Sequence, residues 1–249
     1  MGPGSILAYA QRNSLIFGSG FIDAEQNIEV VPRKIFGVRG RLSADQIKQK
    51  INFLPRVLSD PGLLVSKKLY KAKTRMRTKE LYIPHVSDSW SESLEIAKLL
   101  NAEILYPTGP TINFLKKISE AQMIYSRSLH GLIFADSYQI PRVWISPSKR
   151  MKGGLFKFLD YHSSLDIEID FIDPFISQNR NRQANYFQIS KPQLMDLQNT
   201  QDSILDDIFQ YSKRFAKKPL SKIIELKEQL PLSKHFYSNV GWKHLPSEK

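Results

Sequence analysis

The most informative segment of the chain reads Ser126-Arg127-Ser128-Leu129-His130-Gly131. The apolar run directly before it, residues 123–125, predicts a buried strand. After it, leucine, isoleucine and phenylalanine recur at helical spacing, which predicts a helix over about 129–138. The polar segment is therefore predicted to join the carboxyl end of a strand to the first turn of a helix.

A turn of this kind suits chemistry on an anion. The backbone N–H groups in the first turn of a helix have no intrahelical partner, and their partial positive charge attracts phosphate or carboxylate. A histidine in that turn, His130, can transfer a proton near neutral pH. A lone histidine can equally cap the helix or hydrogen-bond inside the fold. The residue types in the surrounding segments are needed to choose between these interpretations.

Strand-like and helix-like segments alternate through the middle of the chain. Strands are predicted over 81–83, 103–106, 123–125 and 142–145, and helices over 92–100, 112–121 and 129–138. This alternation at short spacing predicts an α/β fold with a parallel sheet that is covered by helices on both faces. His85 and His130 each follow a strand of that sheet, so both can reach one edge, although His85 alone could be structural.

A second group of strands is predicted near the N-terminus, over 14–17, 28–31 and 34–38. The first leads into the glycine-rich turn 18–20, which is either a phosphate cradle or a plain tight turn. The third leads into Arg39, at a strand end where open α/β sheets bind ligands. Arg39 is either an oxyanion ligand of this kind or a surface arginine that pairs with a carboxylate.

Two polar positions are interpreted as local caps. Ser43 with Gln46 three residues later fits a capping box, which predicts a helix over 44–52. Asp60 begins the segment Asp-Pro-Gly-Leu-Leu, and it is interpreted as a turn or cap residue in preference to a catalytic acid.

Further features are predicted in the C-terminal third of the chain. Residues 153–162 predict a loop that opens a short helix, from which Lys157 could reach an anion unless it is an ordinary surface lysine. A polar loop is predicted over 174–185, and a long amphipathic helix over 193–215. The tail from residue 217 mixes lysine with leucine and isoleucine, so it could lie on an anionic membrane or pack against the domain.

Composition limits the class of protein. The chain has 249 residues, no cysteine and a formal net charge of +12. Without cysteine there are no disulfides and no thiolate metal sites, and no apolar run is long enough to span a membrane. The positive charge, including the basic run 67–79, leaves three kinds of partner open: nucleic acid, an anionic membrane surface or a phosphorylated substrate. The absence of RNP, zinc-finger and basic-zipper patterns weakens the first.

Six motifs in a fixed order make the chain resemble the polysaccharide pyruvyltransferase family, notably the ketal pyruvyltransferases of bacterial exopolysaccharide and capsule synthesis. They are Phe17-Gly18-Ser19-Gly20-Phe21, Val38-Arg39-Gly40-Arg41-Leu42-Ser43, Asp60-Pro61-Gly62-Leu63-Leu64, Ile83-Pro84-His85, Ser126 to Gly131 with Phe134-Ala135-Asp136, and Phe156-Lys157-Phe158-Leu159-Asp160-Tyr161. Each motif alone is a weak signal, and the ordered set is a strong one.

The resemblance implies a glycosyltransferase-B-like α/β architecture, with two Rossmann-like halves, parallel sheets, an active site between the halves and helices at the C-terminus. The expected boundaries are 1–78 for the first half, ending in a basic hinge at 67–79, 79–190 for the second half, and 191–249 for a helical segment and basic tail. Family members usually have a longer segment before the Gly-Ser-Gly strand, so the N-terminal half is expected to be truncated.

The resemblance also implies an enzyme that transfers pyruvate from phosphoenolpyruvate to two hydroxyls of a sugar, forming a cyclic ketal and releasing phosphate. No cofactor and no metal are expected. The expected acceptor is a bacterial surface polysaccharide or its lipid-diphosphate-linked precursor. A cytoplasmic location with peripheral contact to the anionic inner face of the membrane is expected, and nucleic acid is not expected as a partner.

The expected site residues follow from residue chemistry and the resemblance together. His130 and Arg39 are assigned to catalysis, and substrate binding is assigned to Ser126, Arg127, Ser128, Lys157, His85, Gly18 and Ser19. Protonated His130 could donate a proton to the methylene carbon of phosphoenolpyruvate, or its neutral form could accept a hydroxyl proton. Many family members have arginine where Ser128 stands, and exopolysaccharide members often have serine, so Ser128 indicates that branch.

Two other functions are weighed against this one. A nucleotide-sugar-dependent glycosyltransferase would use the same architecture to make glycosidic bonds. A basic nucleic-acid-binding protein would rely on the run 67–79 and would bind with a steep salt dependence. The order of the histidine and glycine motifs argues against the second, because charge-driven binding does not need it.

Overall fold

Two mainly parallel sheets organise the computed structural model, which describes residues 1–73, 77–176 and 186–213. The smaller sheet pairs β1 (Leu15–Ser19) with β2 (Lys34–Val38). The larger sheet contains β3 (Lys79–Ile83), β4 (Glu103–Ile104), β5 (Ala121–Ser126), β6 (Arg142–Trp144) and β7 (Tyr186–Phe187). Its strand order is β4-β3-β5-β6-β7, and all neighbours are parallel except β6 and β7. The predicted α/β class is confirmed.

Helices connect and cover these strands. In the described residues they are α1 (Arg41–Ile51), α2 (Val65–Lys68), α3 (Trp90–Leu100), α4 (Thr111–Ser119), α5 (Leu129–Ser137), α6 (Phe156–Ser163) and α7 (Lys191–Lys213), with 3-10 helices at Leu7–Tyr9 and Pro61–Leu64. The helices predicted in the middle of the chain are confirmed as α3, α4 and α5, with ends displaced by one or two residues. The long predicted helix corresponds to α7.

Side chains of the larger sheet alternate between two apolar layers. Leu81 and Ile124 pack with α4 and α5 on one face, whereas Tyr82 and Tyr125 pack with α3 on the other. All four are buried, and full burial of one large apolar side chain contributes about 1.5–3 kcal/mol. The predicted cover of helices on both faces is therefore confirmed, and it leaves the ends of the strands as the place for a site.

The strand predicted over 28–31 is wrong. Ile28 is buried in the core beside the smaller sheet, but Val31 is 58% exposed and the segment joins neither sheet. Pro32 follows directly. Proline has no N–H group to donate to a neighbouring strand, so the apolar pattern does not continue into a paired strand.

The capping box predicted at Ser43 is also wrong. Helix α1 begins at Arg41, with Gly40 as its N-cap. The Ser43 hydroxyl accepts a hydrogen bond from the N–H of Phe21 (3.0 Å) and donates one to Asp160 Oδ2 (2.7 Å). Because Asp160 Oδ1 also accepts from the N–H of Ser43 (2.8 Å), a carboxylate from α6 satisfies the start of α1.

Helix α7 packs across the N-terminal part of the chain. The buried amides of Gln198 and Gln201 donate hydrogen bonds to the backbone carbonyls of Leu63 (2.7 Å) and Leu58 (2.8 Å). The described part of the predicted C-terminal segment is thus held against the first predicted half. The domain boundaries, the glycosyltransferase-B-like arrangement and the truncation stay predictions.

Several predicted features fall on residues outside the described ranges. They are residues 74–76 of the basic hinge, most of the polar loop 174–185, and the lysine-rich tail from residue 217. The hinge and the membrane contact of the tail therefore stay predictions. Within the described part of the chain, none of the helices combines the length and the apolar character that a membrane crossing requires.

Candidate active site

Strands β3 and β5 end side by side at one edge of the larger sheet. Ile83 pairs with Ser126 in the parallel ladder, so the loops that follow the two strands are neighbours. His85 lies in the first loop, and His130 lies in the first turn of α5. The two rings are close enough for positive charge on His130 to lower the pKa of His85. The structure thus brings both histidines to one edge, as the alternation of strands and helices predicts.

Lys157 approaches the histidines from α6. Its side chain is buried, and its Nζ lies 3.4 Å from His85 Nε2. Burial lowers the pKa of Lys157 to about 8, and the positive charge of Arg39 acts in the same direction. A bound anion would raise the pKa of Lys157 again, because its negative charge favours the ammonium form. Lys157 is therefore well placed to bind one.

His85 is held as a neutral ring. Its Nδ1 lies 2.7 Å from the Ser87 hydroxyl, and its backbone N–H donates to Asp88 Oδ2 (2.9 Å). Burial, followed by positive charge on Lys157 and on His130, lowers the pKa of His85 to about 3. His85 is neutral at pH 7, so it is suited to orient a polar group and not to donate a proton as imidazolium.

His130 is also neutral near pH 7. Burial is the largest effect and lowers the pKa of His130; Asp60 opposes it, while Arg39 and Lys157 act with it. The imidazole lies 5.7 Å from the ring of Phe134, measured between centroids. The neutral form can accept a proton, so the surroundings favour the second of the two predicted roles, in which His130 takes a hydroxyl proton.

Asp60 combines its predicted capping role with a position near His130. Its Oδ1 accepts from the N–H of Gly62 (2.8 Å), whereas its buried Oδ2 has no hydrogen-bond partner in the part of the chain that the structure describes. The 3-10 helix Pro61–Leu64 packs so closely on α5 that a Cβ at Gly62 would lie 2.8 Å from Ile133 Cγ2. The negative charge of Asp60 therefore favours the protonated form of His130. Local sequence patterns do not predict this effect, because it depends on the packing of two distant segments.

Arg39 is fully buried, and its guanidinium is engaged by protein groups. Its Nε donates to Asp160 Oδ2 (2.9 Å), Nη1 to the Ser5 hydroxyl (2.7 Å) and Nη2 to the carbonyl of Phe21 (2.7 Å). Of the two interpretations, pairing with a carboxylate is the one that the structure shows, although the pair lies in the interior. Direct contact of Arg39 with an oxyanion stays a prediction, and it requires the guanidinium to exchange partners.

The turn after β5 is organised by Ser126. Its buried hydroxyl lies within hydrogen-bond distance of the carbonyls of Ile83 (3.1 Å) and Ser128 (2.9 Å), and it accepts from the N–H of Ser128 (2.9 Å). In this structure Ser126 therefore shapes the turn. Contact between its side chain and a substrate stays a prediction.

Arg127 and Ser128 differ in how open they are to a ligand. The Arg127 side chain is 3% exposed, with Nη1 2.5 Å from Glu92 Oε1 and 3.8 Å from Asp88 Oδ2. Ser128 is the N-cap of α5, makes no side-chain capping bond and is partly exposed. Ser128 is therefore the better placed of the two to meet a ligand, while the binding role of Arg127 stays a prediction.

Gly18 and Ser19 belong to β1 and not to a turn. Gly18 has a positive φ of 69°, and a Cβ there would lie 2.3 Å from Pro61 Cδ, so the missing side chain makes room for the 3-10 helix. The buried Ser19 hydroxyl donates to the carbonyl of Gly2 (2.5 Å). The close approach that glycine allows is used for packing here, and contact of either residue with phosphate stays a prediction.

Metal-binding arrangements were expected to be absent from the site. In residues 1–73, 77–176 and 186–213, no group of three or more histidine, aspartate or glutamate side chains has the arrangement of a metal site. The expected independence from metal stays a prediction.

Comparisons with known proteins cover most of these residues. The family model described as polysaccharide pyruvyl transferase matches residues 6–149. This range includes Arg39, Asp60, His85 and His130, whereas Lys157 lies beyond it. No solved structure matches the chain significantly.

Two curated proteins are similar to the chain. Uncharacterized protein L143 of Acanthamoeba polyphaga mimivirus is 27% identical over 176 residues, which cover 67% of this chain and 60% of that protein. The succinoglycan biosynthesis protein ExoV of Rhizobium meliloti (strain 1021) is 25% identical over 179 residues, which cover 67% of this chain and 54% of that protein. The chain therefore matches little more than half of the length of these relatives.

Proposed function

The chain belongs to the polysaccharide pyruvyl transferase family, and we propose that it transfers a pyruvyl group from phosphoenolpyruvate to two hydroxyls of one sugar. The products are a cyclic ketal and inorganic phosphate. The acceptor in this proposal is a polysaccharide or its lipid-diphosphate-linked precursor. One relative is a succinoglycan biosynthesis protein, which supports polysaccharide as the acceptor class.

The observation that supports the donor best is the contact of Lys157 with His85, beside His130. Phosphoenolpyruvate carries a carboxylate and a phosphate on a small carbon skeleton, so its site needs several positive groups close together. Lys157 offers an ammonium, Arg39 adds positive potential from the interior, and the start of α5 offers backbone N–H groups. A lysine whose pKa is lowered by burial binds an anion well, because the anion favours its charged form.

The reaction requires a new proton at the methylene carbon C3 and two new oxygen bonds at C2. His130, protonated in passing beside Asp60, gives a proton to C3, which makes C2 cationic. The first sugar hydroxyl oxygen then bonds to C2, and the now neutral His130 accepts the proton of that hydroxyl. The second hydroxyl oxygen then bonds to C2, the bond from C2 to the phosphate oxygen breaks, and the second hydroxyl proton leaves with the phosphate. One donor and one diol yield one ketal and one phosphate, without oxidation or reduction.

Two neighbours act as positioning residues in this scheme. The carboxylate of Asp60 stabilises the imidazolium that His130 forms in passing, because opposite charges attract strongly where water is excluded. His85 holds the Nζ of Lys157 toward the donor. General acid–base help of the kind assigned to His130 contributes on the order of 10²–10⁴-fold in rate.

Thermal unfolding separates this proposal from the nucleotide-sugar glycosyltransferase. A ligand present at one hundred times its Kd stabilises the native state by about 2.7 kcal/mol, which raises Tm by roughly 5–10 °C in a protein of this size. We expect phosphoenolpyruvate to raise Tm in this way, and UDP-glucose and GDP-mannose to leave it unchanged. The variant Lys157→Met, which keeps the size of the side chain but removes its charge, should lose the response to phosphoenolpyruvate.

The opposite pattern contradicts the proposal. A rise in Tm with a nucleotide sugar and none with phosphoenolpyruvate would favour glycosyl transfer. Tight binding of DNA or RNA that falls steeply with salt would favour the basic nucleic-acid-binding protein.

A further inference from the structure

Trp90 is a large aromatic residue exposed at the start of α3. The residue is 54% exposed, although tryptophan is usually well buried. Its ring stacks on that of Tyr106, with the centroids 5.0 Å apart and the planes inclined by 14°. Tyr106 supports one face of the indole, and the exposure of Trp90 leaves the opposite side of the ring open to solvent.

The stacked pair of Trp90 and Tyr106 lies beside the candidate active site. Trp90 follows His85 by five residues, and Asp88 between them accepts a hydrogen bond from the N–H of His85 (2.9 Å). Tyr106 follows β4, which pairs with β3 in parallel. Because parallel strands end at the same edge of a sheet, both rings lie at the edge where His85 and His130 meet.

Three polar side-chain oxygens near the pair are buried. They are the hydroxyls of Tyr106 and Ser148 and the Oδ1 of Asp88, and Ser148 lies beside Asp88 while Ser93 lies beside Tyr106. The Asp88 side chain is 0% exposed, and burial raises the pKa of Asp88. A ligand rich in hydroxyl groups can form hydrogen bonds with these oxygens.

The charges around the pair suit a neutral ligand. Asp88 and Glu92 both contact Arg127, so two carboxylates face one guanidinium and the group is not positive. A nucleoside diphosphate gains no net attraction from this group, although its base could stack on an indole. A sugar ring combines an apolar C–H face, which packs on an aromatic ring, with hydroxyls that bond to carboxylates and to other hydroxyls.

We propose that Trp90 and Tyr106 form the acceptor subsite, in which a neutral pyranose stacks on the open face of Trp90. The hydroxyls of the sugar point toward Asp88 on one side and toward His85 and His130 on the other. The inference rests on the proposed function and adds to it the place and the charge class of the acceptor sugar.

Saturation-transfer NMR with lactose and cellobiose tests the subsite without turnover. We expect the wild-type protein to bind at least one of the two sugars, Trp90→Ala to lose at least nine-tenths of the signal, as about a tenfold loss of affinity implies, and Trp90→Tyr to keep part of it. Phe53→Ala is the matched control, since Phe53 is a 47% exposed aromatic residue beyond the C-terminal end of α1. It should bind like the wild type.

Kinetics supply the second readout. In Trp90→Ala the KM for the sugar should rise about tenfold or more, while the KM for phosphoenolpyruvate stays unchanged. Sugar binding through Trp90 without ketal formation would uphold the subsite and contradict pyruvyl transfer. The inference is overturned if the wild type binds neither sugar, if Trp90→Ala binds as well as the wild type, or if uridine diphosphate occupies the platform.

Discussion

At the scale of single residues, the pKa of Lys157 affects both the stability of the protein and the proposed binding of phosphoenolpyruvate. Its pKa of about 8 lies below the 10.5 of an unperturbed lysine, because burial disfavours the charged form. Between these two values the unfolded chain holds a proton that the native state has lost. The contribution of Lys157 to the free energy of unfolding therefore rises as the pH rises from about 8 toward 10.5.

Ligand binding at Lys157 should change with pH in the opposite direction. If the ammonium binds phosphoenolpyruvate, affinity falls as the pH rises through about 8, approaching tenfold per pH unit once the neutral amine predominates. Isothermal titration calorimetry between pH 7 and 9.5 measures this dependence. Lys157→Arg is the control, because its guanidinium stays charged over the whole range. A Kd that does not change with pH in the wild type would contradict the role assigned to Lys157.

The sequence predicts the position of a side chain correctly where that position follows from the strand after which the residue lies. His85 and His130 each follow a strand, so parallel strand geometry was sufficient to bring them together. The pairing of Arg39 with Asp160 joins residues 121 positions apart, and the effect of Asp60 on His130 depends on close packing between the 3-10 helix and α5. No local pattern contains either contact.

At the scale of elements, the turn from β5 into α5 depends on Gly131. A Cβ at this position would lie 2.2 Å from Ser126 Oγ, the hydroxyl that organises the turn, and 3.2 Å from Ile83 Cγ2. Glycine is normally unfavourable inside a helix by about 1 kcal/mol relative to alanine. Here the absence of a side chain allows α5 to start directly against the strand ends, which places His130 at the site.

Replacing Gly131 with alanine should therefore destabilise the protein, in contrast to the usual effect within a helix. Overpacking of this kind costs about 1–3 kcal/mol, and we expect a corresponding fall in the urea midpoint. Asn113→Ala serves as the control, because Asn113 is an exposed helical position in α4 where alanine should be neutral or slightly stabilising. A rise in the midpoint for Gly131→Ala would show that the turn is not packed as described.

Element boundaries were predicted well where apolar periodicity is long, and wrongly where a distant group takes over a local role. The helices of the larger sheet were predicted to within two residues. The capping box at Ser43 failed because Asp160, from α6, binds the start of α1. The strand predicted over 28–31 is wrong because Pro32 directly follows the apolar run and has no N–H group to donate to a neighbouring strand.

At the scale of the whole molecule, a buried ion pair joins the smaller sheet to α6. The side chains of Arg39 and Asp160 are both 0% exposed, and a Cβ at Gly40 would lie 1.7 Å from the carbonyl oxygen of Asp160. Removing one partner of such a pair typically costs 3–5 kcal/mol. The same contact holds α6, and with it Lys157, against the edge where the histidines lie.

The α/β class and the alternation of strands and helices in the larger sheet could be predicted from sequence, because both depend on periodicity within short segments. The packing of α6 on α1 and of α7 on the backbone around Leu58 and Leu63 could not, because it depends on contacts between distant segments. The sequence therefore predicts that the two histidines and the lysine belong to the candidate site. It predicts only part of the network of contacts that holds these side chains in place.

The central claim is that this chain forms a pyruvate ketal from phosphoenolpyruvate. Mass spectrometry of sugar acceptors incubated with the protein and phosphoenolpyruvate, with a parallel phosphate assay, tests it most directly. We predict a gain of one pyruvate ketal per acceptor with equimolar phosphate release, and a loss of about 10²–10⁴-fold in rate for His130→Ala. Phosphate release without a ketal, or glycosyl transfer from a nucleotide sugar in its place, would contradict the claim.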